Sequence, residues 1–394
     1  MKLILTGASG FVGQLLVPRL TAAGATLLLA GRHKDRLASM FPEQKTCGYN
    51  ELAKLGKGFD QLVHLAVLNN NQPDDEAAFD AVNVDFMLDV LCRAREAKVG
   101  QFVNVSTVQV LDDRVDTPYA RSKLRAQRQL APKMDIAVST LYLPLVYADR
   151  FTGRLSWLNA LPAVVRRAFL PLVSACKPMV HADILSAHIL AGSKAGIVSD
   201  GQNNNKVFQF SKRSIDLAFV LVVALFFWWL LIAIWLTIRL TSQGPGIFSQ
   251  ERIGQEGRIF ICHKFRTMAS GTKQAGTHEI SSASVTRVGQ ILRRTKLDEL
   301  PQIWNIVRGE LSLVGPRPCL PTQDELIAAR RARGVLTARP GISGLAQVEG
   351  IDMSTPQCLA ARDADYIALQ GLFLDLKIAI LTIAGRGGGD RVAR

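Results

Sequence analysis

One stretch of this sequence contains no charged residue and consists largely of Leu, Val, Ile, Phe and Trp. It runs for 22 residues, from Leu217 to Ile238. A helix of about 20 apolar residues is long enough to cross the hydrocarbon core of a bilayer, and soluble cores seldom contain so continuous a run. The stretch therefore predicts a membrane-inserted helix in a chain of 394 residues, which is long enough for two domains.

Basic residues flank this stretch on both sides, with Lys212 and Arg213 before it and Arg239 after it. Since positively charged flanks stay in the cytosol, neither side is marked for translocation. We expect residues 207–243 to enter the inner leaflet, bend and return, with the end charges reaching toward lipid phosphate. No helix breaker is obvious in the run, so a straight span is the competing interpretation.

The cysteines and the charge of the chain limit its surroundings and partners. The six cysteines stand far apart, without the spacing of a zinc site or the density of a secreted disulfide scaffold. The amino terminus also lacks the apolar region of a signal peptide, so we expect a cytosolic first domain. The net charge of +14 favours anionic partners such as nucleotides or lipid phosphates. Nucleic acid is not expected, because basic and aromatic residues are not interleaved.

The first residues predict the start of a dinucleotide-binding fold. Lys2–Leu5 has the pattern of a short buried strand, and Gln14–Ala23 has that of an apolar helix. The glycines between them allow a tight turn and a close approach of backbone to pyrophosphate at the helix amino terminus. A simple loop is the alternative for this glycine pattern taken alone. The residues of the turn expected to contact the cofactor are Gly7, Gly10, Phe11, Val12 and Gly13.

Arg32 ends the next predicted strand, where an NAD-binding enzyme often places an acid for the ribose hydroxyl. A guanidinium at this position can pair with a 2′-phosphate, which favours NADP(H) as the cofactor. A solvated surface arginine is the alternative interpretation.

Tyr119 and Lys123 are four residues apart and would lie on one face of a helix. The lysine cation would lower the pKa of the tyrosine, and the Thr107 hydroxyl would orient the substrate group with which the phenol exchanges a proton. Pairs with this spacing also occur by chance in many helices. The assignment therefore depends on the segments around it.

Taken in order, the segments of the first half resemble the extended short-chain dehydrogenase/reductase family, particularly its sugar-nucleotide epimerases, dehydratases and 4-ketoreductases. The resemblance implies a Rossmann-type parallel sheet domain over residues 1–206, with Ala66 beside the cofactor. It also implies an NADPH-dependent reductase, with a UDP-4-keto-6-deoxy-N-acetylhexosamine as the expected substrate. The segments that carry the resemblance are the glycine turn, Asp60–Ala66, Asn83, Val105–Thr107, Tyr119–Lys123, Leu143–Tyr147 and Val180–Asp183.

The chemistry of the second half centres on Lys296-Leu297-Asp298-Glu299-Leu300-Pro301-Gln302. Its two adjacent carboxylates stand among cations, downstream of the membrane-inserted segment. Because cations hold phosphates while acids supply a nucleophile or a metal ligand, this arrangement suits phosphate chemistry at a lipid surface. The candidate phosphate ligands are Lys264, Arg266, Arg293 and Arg317. Of the neighbours Arg293 and Arg294, one is expected to face solvent or lipid headgroups.

The ordered motifs of residues 207–386 resemble the bacterial sugar transferase family, the monotopic phosphoglycosyl transferases that move a sugar 1-phosphate from a UDP-sugar to polyprenyl phosphate. The resemblance implies that Asp298 forms an aspartyl phosphosugar with release of UMP, and that Glu299 holds Mg²⁺. It implies a small, mainly α-helical catalytic domain over residues 244–386. The motifs are Lys212–Leu217, Gly244–Gly254, Lys264–Met268, Lys296–Gln302, Gly309–Pro318 and Pro340–Val348.

Together, the two halves predict a bifunctional α/β membrane enzyme that initiates a surface glycan at the cytoplasmic face of a bacterial inner membrane. Its expected partners are a UDP-sugar, undecaprenyl phosphate and membrane phospholipid. Only 11 residues separate Thr107 from Tyr119, and the first half ends near residue 206, before a full substrate lobe. The first domain could therefore be a non-catalytic NADP(H)-binding scaffold that promotes a homodimer, or a sugar-nucleotide epimerase.

Three further segments have weaker signals. The arginines at 330, 331 and 333 predict a solvated or headgroup-facing helix. Leu372–Leu381 is amphipathic and predicts a helix at the interface or in the core. Residues 387–394 predict a disordered tail.

Overall fold

The computed structural model describes residues 1–68, 75–112, 115–130, 135–148, 151, 153–269 and 285–386. The expected tail, residues 387–394, lies outside this part of the chain. The chain divides into two compact units. The first comprises Met1–Leu170 and Pro178–Asp200, and the second comprises Pro171–Lys177 and Gly201–Arg394.

The strands of the first unit are β1 (Lys2–Thr6), β2 (Thr26–Ala30), β3 (Lys45–Cys47), β4 (Gln61–His64), β5 (Gln101–Thr107), β6 (Ala137–Leu143), β7 (Leu145–Tyr147), β8 (Met179–His181) and β9 (Gly196–Ile197). Seven of them form one sheet in the order β3-β2-β1-β4-β5-β6-β9. All neighbouring strands of this sheet are parallel. This order is typical of dinucleotide-binding domains, whose ligands lie at the carboxyl ends of the central strands. The predicted Rossmann-type sheet is confirmed.

The helices of this unit are α1 (Phe11–Ala22), α2 (Lys34–Met40), α3 (Leu52–Leu55), α4 (Glu76–Asp80), α5 (Phe86–Glu96), α6 (Pro118–Gln129), α7 (Ala163–Cys176) and α8 (Ala182–Leu190), and α7 extends into the second unit. The sheet has an apolar core on each face. Leu3 and Leu5 of β1 pack with Leu16 of α1 on one face, while Ile4 packs with Met87 of α5 on the other. Because side chains alternate along a strand, a sheet buried on both faces needs continuous apolar strands such as β1.

The second unit is mainly helical. Its strands are β10 (Ile247–Ile253), β11 (Ile259–Phe265), β12 (Ser312–Val314) and β13 (Gly341–Ser343), and they pair in two short sheets, β10 with β11 and β12 with β13. Its helices are α9 (Lys206–Phe226), α10 (Trp228–Thr241), α11 (Arg287–Thr295), α12 (Ile303–Val307), α13 (Asp324–Ala332), α14 (Leu345–Val348), α15 (Pro356–Leu369) and α16 (Leu372–Ile383).

The apolar run of the sequence forms a bent helix pair, α9 and α10, with an angle of 70° between them. The bend is at Phe227, whose φ of −122° and ψ of 9° are not helical. Leu230 N–H bonds to the Phe227 carbonyl, which deprives the Phe226 carbonyl of its helical partner. The Trp229 indole donates to that carbonyl instead, at 2.9 Å. A tryptophan therefore supports a break that elsewhere often involves proline.

No single helix in the described ranges is both long and apolar enough to cross a membrane, and the bent pair meets that requirement only by its joint length and composition. One side of α10 packs inside the unit, where Ile234 and Ile238 contact Phe265 and Leu292. Most of the other large apolar side chains of the pair are exposed.

The two cations that precede the apolar run have partners inside the second unit. Lys212 donates to the Val314 carbonyl at 2.8 Å and pairs with Asp375. Arg213 donates to the Ile306 carbonyl at 2.6 Å. The expectation that these two charges reach lipid phosphate is therefore wrong, because both are used to join α9 to its own domain.

Candidate functional site

The predicted nucleophile and metal ligand lie on a short 3-10 turn, Leu297–Gln302, in the second unit. α11 ends at Thr295, and the next residue, Lys296, has a left-handed φ of 58° that stops the helix just before this turn. A lysine in this conformation is uncommon and indicates that the surroundings fix the backbone. The turn packs against β11 and leaves Asp298 and Glu299 each only 9% exposed.

Two of the predicted phosphate ligands meet on Glu299. Lys264 Nζ donates to Glu299 Oε1 at 2.9 Å, and Arg317 Nη2 donates to the same oxygen at 2.7 Å. β11 supplies Lys264, while Arg317 follows β12, so separate elements of the unit bring these charges together. Besides Lys264, Glu299 and Arg317, the small cavity at this point is lined by Arg252, Cys262, Gln302, Pro318, Gly341 and Ile342.

Asp298 is the titratable group of this site whose environment is most suited to nucleophilic chemistry near neutral pH. Burial, and secondarily the negative charge of Glu299, raise its pKa to about 6. Lys264, Arg317 and Arg293 oppose this rise. The carboxylate is consequently ionised at pH 7 but poorly solvated, and a desolvated anion beside cations is an effective nucleophile toward phosphorus.

The arginines of the predicted phosphate-binding set differ in their surroundings. Arg293 donates from Nε to Thr267 Oγ1 at 2.9 Å, while its buried Nη1 has no hydrogen-bond partner among the residues that the structure describes. The neighbouring Arg294 is exposed, which confirms that one member of this pair faces outward. Arg266 is buried and donates to the Ser242 carbonyl at 2.9 Å, at the end of α10. Its assignment as a phosphate ligand stays a prediction.

Two residues near the site were missed or misread from the sequence. Arg252 lies within the Gly244–Gly254 motif, yet only the fold shows that it lines the cavity. Arg330 was expected on a solvated helix, and this is wrong. It is 3% exposed and pairs with the equally buried Asp363 at 2.7 Å. Arginine composition alone could not reveal this, because the partner is 33 residues away on α15.

The donor set fits a weakly held Mg²⁺. No cluster of three or more His, Cys, Asp or Glu side chains that could enclose a metal occurs in the part of the chain that the structure describes. Mg²⁺ commonly binds through one or two carboxylates, several waters and the phosphates of its substrate. Glu299, with Asp298 beside it, offers that number of carboxylates next to the cations.

A second candidate site lies in the first unit, at the carboxyl ends of β1 and β2. It is a cavity of about 660 Å³, a volume typical of small-molecule sites. All seven predicted cofactor contacts line it, together with His33 and Arg36, which the sequence pattern did not indicate. The seven are Gly7, Gly10, Phe11, Val12, Gly13, Arg32 and Ala66.

The glycines of the turn are required by close backbone contacts. Gly7 has a φ of 70°, and a Cβ there would lie 2.6 Å from the backbone nitrogen of Ala66. A Cβ on Gly13 would lie 2.5 Å from the Cα of Ala8. Neither position can accept a side chain without moving the backbone, so the cavity floor depends on both glycines.

Tyr119 and Lys123 lie on α6, as expected, but the predicted electrostatic coupling is wrong for this structure. Burial raises the pKa of Tyr119 to about 12 and lowers that of Lys123 to about 8. Lys123 Nζ donates to the Val105 carbonyl at 3.2 Å, and Thr107 Oγ1 accepts from Gln109 N–H. Within the described residues, no hydrogen bond joins the side chains of Thr107, Tyr119 and Lys123.

The second half matches known proteins along most of its length. Residues 207–386 match the family model of bacterial sugar transferases. A UDP-glucose:undecaprenyl-phosphate glucose-1-phosphate transferase from Caulobacter vibrioides is 42% identical over 183 residues, which cover 44% of this chain and 68% of that protein. The exopolysaccharide production protein ExoY from Rhizobium meliloti is 35% identical, over 44% of this chain and 84% of that protein.

A relative from Xanthomonas campestris with the same transferase name as the Caulobacter protein is 34% identical, and there the match spans only 40% of its length. The first half of the chain, residues 3–169, matches the model of the NAD dependent epimerase/dehydratase family. A solved UDP-N-acetylglucosamine 4-epimerase from Bacillus cereus is 16% identical, with a TM-score of 0.39, over 51% of this chain and 78% of that chain. A similarity of this size assigns no function.

Proposed function

The chain belongs to the bacterial sugar transferase family, and on this basis we propose that its second unit transfers a sugar 1-phosphate from a UDP-sugar to undecaprenyl phosphate. The observation that carries the proposal is the buried Asp298 next to Glu299, whose carboxylate is held by Lys264 and Arg317. The names of the curated relatives support the donor and acceptor classes.

The reaction proceeds in two displacements. An oxygen of the ionised Asp298 attacks the sugar-bearing phosphorus of the diphosphate, forming a P–O bond to the side chain. The bond to the bridging oxygen breaks, and UMP leaves with the electron pair. A phosphate oxygen of the lipid then attacks the same phosphorus and displaces Asp298. The lipid receives the phosphosugar, and the carboxylate is regenerated.

The neighbouring cations bind and orient the two phosphates. Lys264 and Arg317 already donate to Glu299, and the buried Nη1 of Arg293 is a donor with no acceptor in the described ranges. A phosphate oxygen would satisfy that donor and stabilise the negative charge that develops on the leaving group. Glu299 would hold Mg²⁺, which when bound screens the charge of the diphosphate.

We also propose that the bent pair α9 and α10 is re-entrant at the cytoplasmic face of a bacterial inner membrane. Its exposed aromatic and aliphatic side chains suit the apolar part of one leaflet. Both proposed substrates, a UDP-sugar and NADPH, are cytosolic, so both ends of the pair would lie on the cytoplasmic side. Phospholipid would then be a direct partner of the chain.

For the first unit we propose an NADPH-dependent reductase acting on a keto-sugar nucleotide, such as a UDP-4-keto-6-deoxy-N-acetylhexosamine. The cavity lined by the glycine turn and Arg32 fits the pyrophosphate and a 2′-phosphate. NADPH would supply the hydride, while Tyr119 would donate the proton to the carbonyl oxygen. In the part of the chain that the structure describes, the side chains of Thr107, Tyr119 and Lys123 are not hydrogen-bonded to one another. This favours, as the second candidate, an NADP(H)-binding scaffold without turnover. An epimerase would use the same residues.

The transferase proposal is tested with purified protein in lipid nanodiscs, supplied with undecaprenyl phosphate, Mg²⁺ and a panel of UDP-sugars. We expect UMP release and a lipid product heavier by one phosphosugar. Asp298→Asn should abolish both, and the mass of the wild-type protein quenched before acceptor addition should rise by one phosphosugar on the peptide containing Asp298. UMP release by Asp298→Asn at the wild-type rate would exclude the covalent route.

A further inference from the structure

The loop that carries Arg317 contains two prolines, Pro316 and Pro318, which have no backbone N–H to donate. The loop is held through its carbonyl groups instead, because four successive carbonyls each accept a hydrogen bond. Pro316 O accepts from Gly341 N–H at 3.0 Å, Arg317 O from Arg330 Nη1 at 2.8 Å, Pro318 O from Arg252 Nη1 at 3.2 Å, and Cys319 O from Ile253 N–H at 2.9 Å.

Arg330 is the buried arginine among these donors, with 3% of its surface exposed. Its Nε and Nη2 donate to Asp363 Oδ2 at 3.0 Å and 2.7 Å, and Nη1 is left for the Arg317 carbonyl. The planar guanidinium thus joins α13, α15 and the loop in one fixed arrangement. A lysine could pair with Asp363 but could not reach both partners in this geometry.

The main-chain carbonyl and the side-chain guanidinium of Arg317 have different partners. The carbonyl is held by Arg330, while the guanidinium donates to Glu299. We propose that Arg330, oriented by Asp363, is a positioning residue for phosphosugar transfer that fixes the Arg317 main chain so that the Arg317 side chain meets Glu299 and the donor diphosphate. This inference rests on the proposed transferase function.

In this arrangement Arg330 acts only through Arg317 and does not contact the substrate. Its loss should let the loop shift, and a misplacement of about 1 Å at a positioning group lowers turnover by about 100-fold in well-ordered sites. Since the donor diphosphate and Glu299 both depend on Arg317, we also expect a higher Mg²⁺ requirement.

The test uses the full chain in nanodiscs and the UMP-release assay. Arg330→Met combined with Asp363→Leu replaces the buried ion pair by apolar side chains, an exchange that often leaves stability unchanged or raised. We expect this double variant to keep the wild-type melting temperature, to lose about 10- to 100-fold in kcat, and to need more Mg²⁺ for half-maximal rate. Arg330→Lys should fold and show a similar loss. The matched control is Arg331→Met, an exposed arginine on the same helix, which should behave as wild type.

To distinguish a role through Arg317 from a purely structural role, the Arg330→Met and Asp363→Leu changes are combined with Arg317→Ala. If Arg330 acts through Arg317, the double variant should not lower kcat further in the Arg317→Ala protein, because the side chain that Arg330 positions is already absent. Fully multiplicative losses would overturn the proposal, as would wild-type turnover and Mg²⁺ dependence in the folded double variant. Absence of UMP release by the wild-type protein would overturn the transferase function itself, and is thereby distinguished from failure of the Arg330 role alone.

Discussion

Arg317 and Glu299 are joined by a hydrogen bond of 2.7 Å between the guanidinium Nη2 and the carboxylate Oε1. Lys264 donates to the same oxygen, so one carboxylate is held by two cations that the proposed donor also requires. We expect the diphosphate to take over these cations when it binds, which releases Glu299 toward Mg²⁺. The arrangement keeps the charges of the site balanced before the substrate arrives.

The pH dependence of turnover should follow the ionisation of Asp298. Because burial raises the pKa of this carboxyl to about 6, kcat/KM for UMP release should fall as the pH falls through that value. Lys264→Met removes a cation that lowers this pKa, so the falling limb should move to higher pH. Stopped assays between pH 5 and 8 measure this fall in activity for the wild-type protein and for the variant. If kcat/KM of Lys264→Met fell at the same pH as that of the wild type, the electrostatic account would be contradicted.

The same raised pKa has a consequence for stability. The folded state binds the Asp298 proton more tightly than the unfolded chain, so the free energy of unfolding falls by up to about 3 kcal/mol as the pH rises from about 4 to about 6. Asp298→Asn should therefore raise the melting temperature at pH 8, with a gain that shrinks toward pH 4. Calorimetry at several pH values measures it. Glu251→Gln, an exposed acid on β10, is the control and should show no such trend.

Arg32 should decide the preference between the two nicotinamide cofactors. Arg32→Ala removes a charge-assisted contact to a 2′-phosphate and should weaken NADPH binding by about 10- to 100-fold while leaving NADH binding nearly unchanged. Fluorescence titration of the purified protein gives both dissociation constants. Lys54→Ala, an exposed lysine of the same unit, is the matched control. Equal weakening of both cofactors would point to a general role for Arg32 in the fold.

Tyr119→Phe distinguishes the reductase from the scaffold. If the phenol donates the proton, this variant should keep NADPH binding but lose about 100- to 10,000-fold in NADPH oxidation with a keto-sugar nucleotide. UMP release should be unaffected, because it belongs to the second unit. Binding without oxidation in the wild-type protein would favour the scaffold.

The membrane topology of α9 and α10 can be read by cysteine accessibility. Cys92 and Cys358 are exposed and are first replaced by serine. Ser214→Cys before the apolar run and Thr241→Cys after it should then react with a membrane-impermeant maleimide from the cytoplasmic side alone. Labelling from opposite sides would show a straight span. Trp229→Phe removes the indole donor at the bend between α9 and α10. If the tryptophan stabilises this bend, the variant should show more labelling from opposite sides of the membrane.

Local sequence signals predicted those features of the fold that depend on neighbouring residues. The apolar strand at Lys2–Thr6, the glycine turn and the helix after it were all recognisable, because burial on both faces and close backbone approach restrict residue types over short distances. The helix itself begins at Phe11, inside the predicted turn, because residues 11–13 already have helical backbone. Helix ends depend on capping geometry, which a periodic pattern locates poorly.

Contacts between distant segments were not predictable in the same way. The sequence placed Arg330 on the surface because it stands among other arginines, yet its burial follows from Asp363 on a different helix. Lys212 was placed near lipid because it precedes an apolar run, but a carbonyl of β12 and Asp375 hold it. The Lys123 charge was expected to act on Tyr119, whereas desolvation dominates the pKa of both.

The order of the elements, the glycine positions and the adjacency of Asp298 and Glu299 could be predicted from the amino-acid sequence, since each of these depends on bonded neighbours or on periodic burial. The folded chain was needed to show which cations reach the carboxylates, which arginine is buried, and where the apolar run bends. These outcomes depend on long-range pairing and desolvation, whose energies are set by the distance and exposure of groups far apart in the chain.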